Sequence, residues 1–303
     1  KALKLIDIAK LSGADYVKFQ LYKTSQFINK NYNHKTLNFK KIYSKFYRRE
    51  FSEKQWLKII RYAKKKKIKI FFSIFDFYSL NLVKKFKIKL IKIPSGEINN
   101  LPLLKKINSS KINVILSTGM SSLQEIKTAI KTLKNCKLTL LHCVSEYPTT
   151  KPYLNTINFL KKKFNKEVGF SDHTKETITP ALAVVAGAQM IEKHFTYNKK
   201  LKLGDHKFSL NPAQLNKMVN DVRIAERFME GIKKNLTKQE RKLQFLARKG
   251  IYLNKNKIDN EVIKLSDISI LRPEGKIKVS RFNSIINKKI QGKLKKTLFK
   301  KFV

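Results

Sequence analysis

The sequence predicts an α/β fold: a (β/α)8 TIM barrel over residues 1–230, a polar linker over 231–246 and a small C-terminal domain over 247–303. Three observations carry this reading. Short apolar runs alternate with amphipathic stretches through the first 230 residues, the pattern of strands each followed by a helix. The residues suited to chemistry stand directly after those runs, where such a barrel gathers its functional groups. Beyond Gly231 the texture changes to a polar connector, "IKKNLTKQERKLQF", and then to short strand patterns with a lysine-rich end.

Taken in order, the chain opens in a helical pattern, "KALKLIDIAKL", that stops at Gly13. "DYVKFQ", "IKIFFS", "LIKIP", "NVILST", "LTLLHC", "EVGFS" and "QMIEKHF" then read as buried strands. Between them, "EKQWLKIIRYAKKK" and "SSLQEIKTAIKTLK" are examples of the helical spacing. Seven strands are one short of a closed barrel, so the first strand is expected to be missing, which would leave strand edges unpaired. After "NPAQLNKMVNDVRIAERFMEG", the segments "RKGIYLNK" and "VIKLSDISILRPEGK" give the tail its strands. A tail this small needs a docking surface on the barrel or on another subunit.

Composition bounds the function. The chain has 303 residues and 42% apolar content, enough for a full core. No run approaches the roughly 20 apolar residues of a membrane span, and no signal peptide is visible, so a soluble, cytoplasmic protein is expected. Cys136 and Cys143 show no metal-ligand pairing and read as reduced core thiols. The formal charge of +46 invites a nucleic-acid reading. The lysines, however, are spread over nearly every helix in company with Ile and Asn, and no nucleic-acid motif is present. Weak adhesion to polyanions is expected, specific nucleic-acid binding is not.

At the expected strand ends stand Lys18 and Gln20, then Lys92, Ser95 and Glu97, then Ser117, Thr118 and Gly119. Two lysines, hydroxyls and a glycine turn opening a helix are anion-binding materials. The next ends carry "LHCVSEYP", "GFSDHT" and "IEKHFT". Of five histidines, His173, His194 and His206 fall in this one window. His173 and His194 at neighbouring strand tops suit one divalent ion, with Asp172, Glu97 and Asp205 as nearby oxygen groups. Two imidazoles leave open positions, which favours a catalytic ion such as Mn²⁺ over a closed structural zinc. His206 reads as a loop support, His142 as either a buried hydrogen-bonding residue or a substrate contact, and His34 has no constellation around it.

These segments, in order "GADYVKFQ", "KIPSGEINNLPLL", "ILSTGMSSLQEI", "LLHCVSEYP", "VGFSDHT", "GAQMIEKHFT" and "GDHKFSLNP", resemble the sialic acid synthase family with its legionaminic and pseudaminic acid branches. The tail resembles that family's antifreeze-like (SAF) domain, with "ILRPEGK" in place of an Arg-Pro-Gly segment. The resemblance implies a metal-dependent transferase that condenses phosphoenolpyruvate with an N-acetylated amino sugar to give a nine-carbon 2-keto acid and phosphate. It implies that Lys18, Lys92, Ser95, Ser117 and Ser171 hold phosphoenolpyruvate, that His173 and His194 hold Mn²⁺, Mg²⁺ or Co²⁺, and that Ser145, Tyr147 and Asp205 contact substrate. Glu97 and Lys92 are the implied catalytic residues, Glu97 orienting or deprotonating the water. It also implies a homodimer with exchanged tails, in which Arg272 reaches the partner's acceptor sugar.

Three departures stand out: no Glu-Ile-Gly strand opens the chain, "SIFD" is shorter than the family's Ser-Thr-Pro-Phe-Asp, and Glu274 replaces a glycine. The simplest reading is N-acetylneuraminate synthase acting on N-acetylmannosamine. The alternatives are a legionaminic or pseudaminic acid synthase, an inactive barrel serving as a binding protein, and a polyanion-binding protein.

Overall fold

Seven strands pair in sequence order into one parallel sheet: β1 (Tyr16–Leu21), β2 (Lys69–Ile74), β3 (Leu90–Ile93), β4 (Asn113–Ser117), β5 (Leu138–His142), β6 (Glu167–Asp172) and β7 (Ile191–Lys193). Helix α1 (Ala2–Leu11) precedes the sheet, and α2 (Thr24–Phe27), α3 (Phe39–Tyr47) and α4 (Glu53–Lys65) lie between β1 and β2. One helix follows each later strand: α5 (Phe77–Lys85), α6 (Leu101–Asn108), α7 (Leu123–Thr132), α8 (Asn155–Phe164), α9 (Thr179–Val185) and α10 (Pro212–Phe228). This computed structural model describes residues 1–201, 204–232, 234–293 and 295. No helix among them is long and apolar enough to cross a membrane.

Local chemistry sets the helix starts. Ser52 with Gln55, Ser122 with Glu125 and Asn211 with Gln214 form reciprocal capping boxes at α4, α7 and α10. Helix α4 then buries Trp56, Ile59 and Ala63 at helical spacing. The Phe72 ring packs edge-on against Trp56, and the outward residues of other strands, among them Ile91, Leu116 and Phe170, belong to the same continuous core. Each such side chain contributes about 1.5–3 kcal/mol on burial.

The sheet curls until its first and last strands face one another. Lys18 Nζ on β1 lies 3.8 Å from Glu192 Oε1 on β7, although β1 and β7 are not hydrogen-bonded as strands among the described residues. The result is a TIM-barrel-like α/β unit.

The chain divides into units Lys1–Glu230 and Gly231–Val303. The second unit pairs β8 (Gly250–Leu253) and β9 (Ile268–Leu271) antiparallel, between α11 (Lys238–Ala247) and α12 (Phe282–Ile285) in sequence. The stretch read as a linker thus contains a helix, started by a Thr237–Glu240 capping box that the connector's polar composition conceals. Ile251, Leu253, Ile263, Ile268 and Ile290 form this unit's small core. Beside it Asp267 is buried between Lys255 Nζ at 2.8 Å and Lys257 Nζ at 2.7 Å.

Candidate active site

Alternation along the strands decides which side chains enter the barrel interior. On the inward face of β2, β3, β4 and β5 and just before β7, Phe71, Leu90, Ile115, Leu141 and Met190 form an apolar cluster of their own. Two residues further on, the same face turns polar, with Ser73, Lys92, Ser117, Cys143 and Glu192 after those five, and Lys18 and Ser171 beside them. An apolar floor therefore lies beneath a charged chamber at the C-terminal ends of the strands. Its cavity of about 250 Å³ is also lined by Ser95, Ser145, Tyr147, His173 and His194. A larger cleft of about 640 Å³ runs between β1 and β7 and shares Lys18, Gln20, Glu192 and His194 with it. Most of the larger cleft is apolar, so the chemistry belongs to the smaller chamber.

Glu192 sits at the centre of the charges. Lys92 Nζ donates to Glu192 Oε1 in a close ion pair, and Ser171 Oγ donates to the same oxygen at 3.1 Å. Lys18 Nζ also donates to Ser73 Oγ at 3.2 Å. Burial pushes the Lys18 ammonium down from its ordinary value against the pull of Glu192. Burial works to raise the Glu192 carboxyl, but the Lys18 and Lys92 charges outweigh it and hold the group well below the usual carboxylate range. Ser117 Oγ is buried in the lining with no hydrogen-bond partner. Such a hydroxyl is costly unless a ligand atom meets it.

The two imidazoles stand at the mouth. His173 Nδ1–H donates to the Val144 carbonyl at 2.7 Å, which leaves the lone pair on Nε2, where Ser171 Oγ lies 3.5 Å away. The His173 and His194 ring centroids are 5.9 Å apart, with the Tyr147 ring 4.1 Å from the first and 6.2 Å from the second. His194 Nδ1 lies 3.9 Å from Asp205 Oδ2. Burial, aided by the Lys18 charge, pushes His194 down to about 4, and burial also lowers His173. Both rings are therefore neutral near pH 7, the form a metal requires. The donor set fits a divalent ion held by two imidazoles with its other positions open. No cage of three or more His, Cys, Asp or Glu groups exists among the described residues. The Tyr147 hydroxyl is pushed up to about 12 by burial and by the negative charges near it.

The structure gathers Lys18, Lys92, Ser95, Ser117, Ser145, Tyr147, Ser171, His173 and His194 at one chamber, with Asp205 beside His194. Other expected contributors stand elsewhere. Glu97 is outside the lining: its Oε2 accepts from Asn100 Nδ2 at 2.8 Å, and burial raises its carboxyl. Asp172 points to the outer face, where Lys193 Nζ holds it at 2.5 Å, because it is one residue out of phase with Ser171 and His173. The α7 N-terminus offers no free anion site, since Ser122 and Glu125 occupy it. His142 faces outward, stacks on Phe170 and bonds to the Pro152 carbonyl at 2.7 Å. His206 Nδ1 meets Thr196 Oγ1 at 2.8 Å as a loop support. The exposed His34 accepts from Thr36 N and Leu37 N, both at 3.2 Å, within its own loop. Arg272 belongs to the second unit, just after β9.

Glu192 is the functional residue that sequence reasoning missed. The signal was available: a carboxylate inside a run read as a strand, two residues before His194 and so on the same face.

This arrangement agrees with a family model that matches residues 5–234, the NeuB family. The chain belongs to the NeuB family. Among NeuB-family relatives, it is 37% identical over 301 residues to the N,N'-diacetyllegionaminic acid synthase of Campylobacter jejuni, covering 95% of this chain and 90% of that protein. It is 32% identical over 301 residues to a pseudaminic acid synthase from the same species, covering 95% and 87%. The crystal structure of N-acetylneuraminic acid synthetase from Leptospira borgpetersenii, in complex with citrate, superimposes with a TM-score of 0.72 at 33% identity. That superposition covers 80% of this chain and 84% of the other.

Proposed function

We propose that this NeuB-family chain is a sugar-acid synthase that joins phosphoenolpyruvate to an N-acetylated amino sugar and releases phosphate. The observation that supports it most is the chamber itself: two lysines and five serine hydroxyls, among them the unpartnered Ser117 Oγ, beside a pair of neutral imidazoles. Lys18 and Lys92 meet the phosphate and carboxylate of phosphoenolpyruvate, with Ser95, Ser117 and Ser171 donating to their oxygens. Ser145, Tyr147 and Asp205 orient the open-chain acceptor over the same chamber. A divalent ion at His173 and His194, Mn²⁺ or else Mg²⁺ or Co²⁺, would polarise the acceptor's aldehyde. Carbon 3 of the enol forms the new bond to that aldehyde carbon, and water adds at carbon 2. Cleavage of the bond between carbon 2 and the phosphate oxygen then releases phosphate. Glu97, the residue the resemblance implies for this water, lies outside the chamber lining with its Oε2 held by Asn100, so it takes this role only if it leaves that partner.

The simplest acceptor is N-acetylmannosamine, giving N-acetylneuraminate. The 37% identity to a diacetyllegionaminic acid synthase favours, as a second reading, an acceptor with two acetamido groups. The second unit is proposed to act as an SAF-type cover in an exchanged homodimer, Arg272 of one subunit completing the site of the other.

The test is phosphate release from phosphoenolpyruvate with Mn²⁺ and a panel of acceptor sugars. Release should require donor, acceptor and metal together, and should disappear in His173→Ala and His194→Ala while the fold persists. Release that survives chelation would remove the metal assignment. No release with any acceptor would favour an inactive binding barrel.

A further inference from the structure

Glu192 presents a conflict with the chamber around it. A pocket for a phosphate and a carboxylate should be positive, yet one of its own carboxylates occupies both cations: Lys92 by an ion pair and hydrogen bond, Lys18 at 3.8 Å. Ser171, another expected ligand of the anion, is turned to the same Glu192 oxygen at 3.1 Å. Three of the five groups expected to hold phosphoenolpyruvate are therefore already engaged by one residue, while a fourth, Ser95 Oγ, accepts from Gly119 N at 3.1 Å. Lys18 keeps a second partner in Ser73 Oγ, and Ser117 Oγ has none. The side chains of Lys18, Lys92 and Glu192 are only 17%, 6% and 13% exposed, so water replaces little of what each would lose.

We propose that Glu192 is a positioning residue that competes with phosphate for Lys18, Lys92 and Ser171, so that phosphate is bound weakly enough to leave. The inference rests on the synthase reading above, since phosphate is the product that must depart. Without a bound anion, the carboxylate offsets one of two close positive charges that would otherwise repel each other in a poorly hydrated space. When a phosphate enters, it has to take those donors from Glu192 and lie near a fixed negative charge. Both effects oppose binding. The tilt matters because a chamber with two lysines and no carboxylate would hold phosphate tightly, and product release then limits turnover.

This makes a prediction opposite to that of a scaffold residue. Glu192→Gln keeps the shape and removes the charge, so inorganic phosphate, measured by titration calorimetry, should bind at least about tenfold more tightly than to wild type. Phosphate should also raise the melting temperature of the variant more than that of wild type, since a ligand stabilises in proportion to its occupancy of the native state. Glu192→Asp, which withdraws the charge by one methylene, should fall between the two and serves if the glutamine variant does not fold. In turnover, added phosphate should inhibit Glu192→Gln more strongly than wild type. Equal or weaker phosphate binding in the variants overturns the proposal, because it shows Glu192 acting only as support for the lysines. Lys92→Ala separates this from failure of the underlying reading. If it leaves phosphate binding unchanged, the chamber is not an anion site and both readings fall. If it abolishes binding while the Glu192 variants do not tighten it, only the competition fails.

Discussion

Lys92 stands 5% exposed at the centre of the chamber, and its removal tests the donor site directly. Lys92→Ala withdraws a charge-assisted hydrogen bond worth roughly 1.5–3 kcal/mol, so the KM for phosphoenolpyruvate should rise by about tenfold to a hundredfold. The KM for the acceptor sugar should change little, and equal effects on both would place Lys92 away from the phosphate. A second residue-scale consequence concerns His142. Burial lowers its pKa from the ordinary 6.5, so the folded state keeps the ring neutral where the unfolded chain takes up a proton. Its contribution is present in full above pH 6.5 and declines as pH falls below that value. Thermal melts of His142→Gln, whose amide can still donate to the Pro152 carbonyl, should show a shallower loss of stability below pH 6.5 than wild type. Parallel curves would show that His142 takes no part in the acid response.

At the scale of elements, two glycines separate site from scaffold. A Cβ at Gly119, after β4, would meet Ser145 Oγ, Cys143 Sγ at 2.6 Å and Ser95 Oγ at 2.9 Å, all lining the chamber. Gly119→Ala should push these side chains into the chamber and weaken phosphoenolpyruvate binding while leaving the melting temperature nearly unchanged. A Cβ at Gly169 in β6 would meet the Met190 backbone oxygen and Leu141 Cδ2 at 2.7 Å. That oxygen accepts from Phe170 N at 2.8 Å where β6 joins the chain entering β7, so it cannot move without disturbing the pairing. Gly169→Ala should cost about 1–3 kcal/mol of stability in denaturant unfolding, the usual range for overpacking. If Gly169→Ala is neutral and Gly119→Ala unfolds the protein, the two roles are reversed.

For the whole molecule, the charge of +46 opposes self-association, so the proposed dimer should form more readily as salt screens exposed charges beyond about 10 Å at 0.1 M. Subunit complementation tests the exchanged tails. Arg272→Ala and His173→Ala chains, each inactive alone, are dissociated and mixed. With exchanged tails, one site of the mixed dimer carries both lesions and the other carries none, so part of the activity should return. Mixed dimers without activity would show that Arg272 acts within its own chain or has no role in the site.

The strand positions were legible in the sequence because a parallel strand buried on both faces is a short apolar run, and each run is where a strand formed. So were Lys18, Lys92, Ser117 and the His173–His194 pair, since polar residues at strand ends interrupt those runs, whereas Ser171 was reached only through the family resemblance. The Ser117–Thr118–Gly119 turn reads as anion-binding material opening a helix, whereas the start of α7 is closed by the Ser122–Glu125 capping box. Only the tertiary structure decided which polar residues meet. Strand phase sent Ser171 inward and Asp172 outward to Lys193, a difference of one residue that composition does not express. The curl of the sheet brought Glu192 of β7 across to Lys18 of β1 and Lys92 of β3, partners separated by 174 and 100 positions in the chain. It is long-range closure, not local pattern, that turned an ordinary strand glutamate into the counter-charge of the chamber.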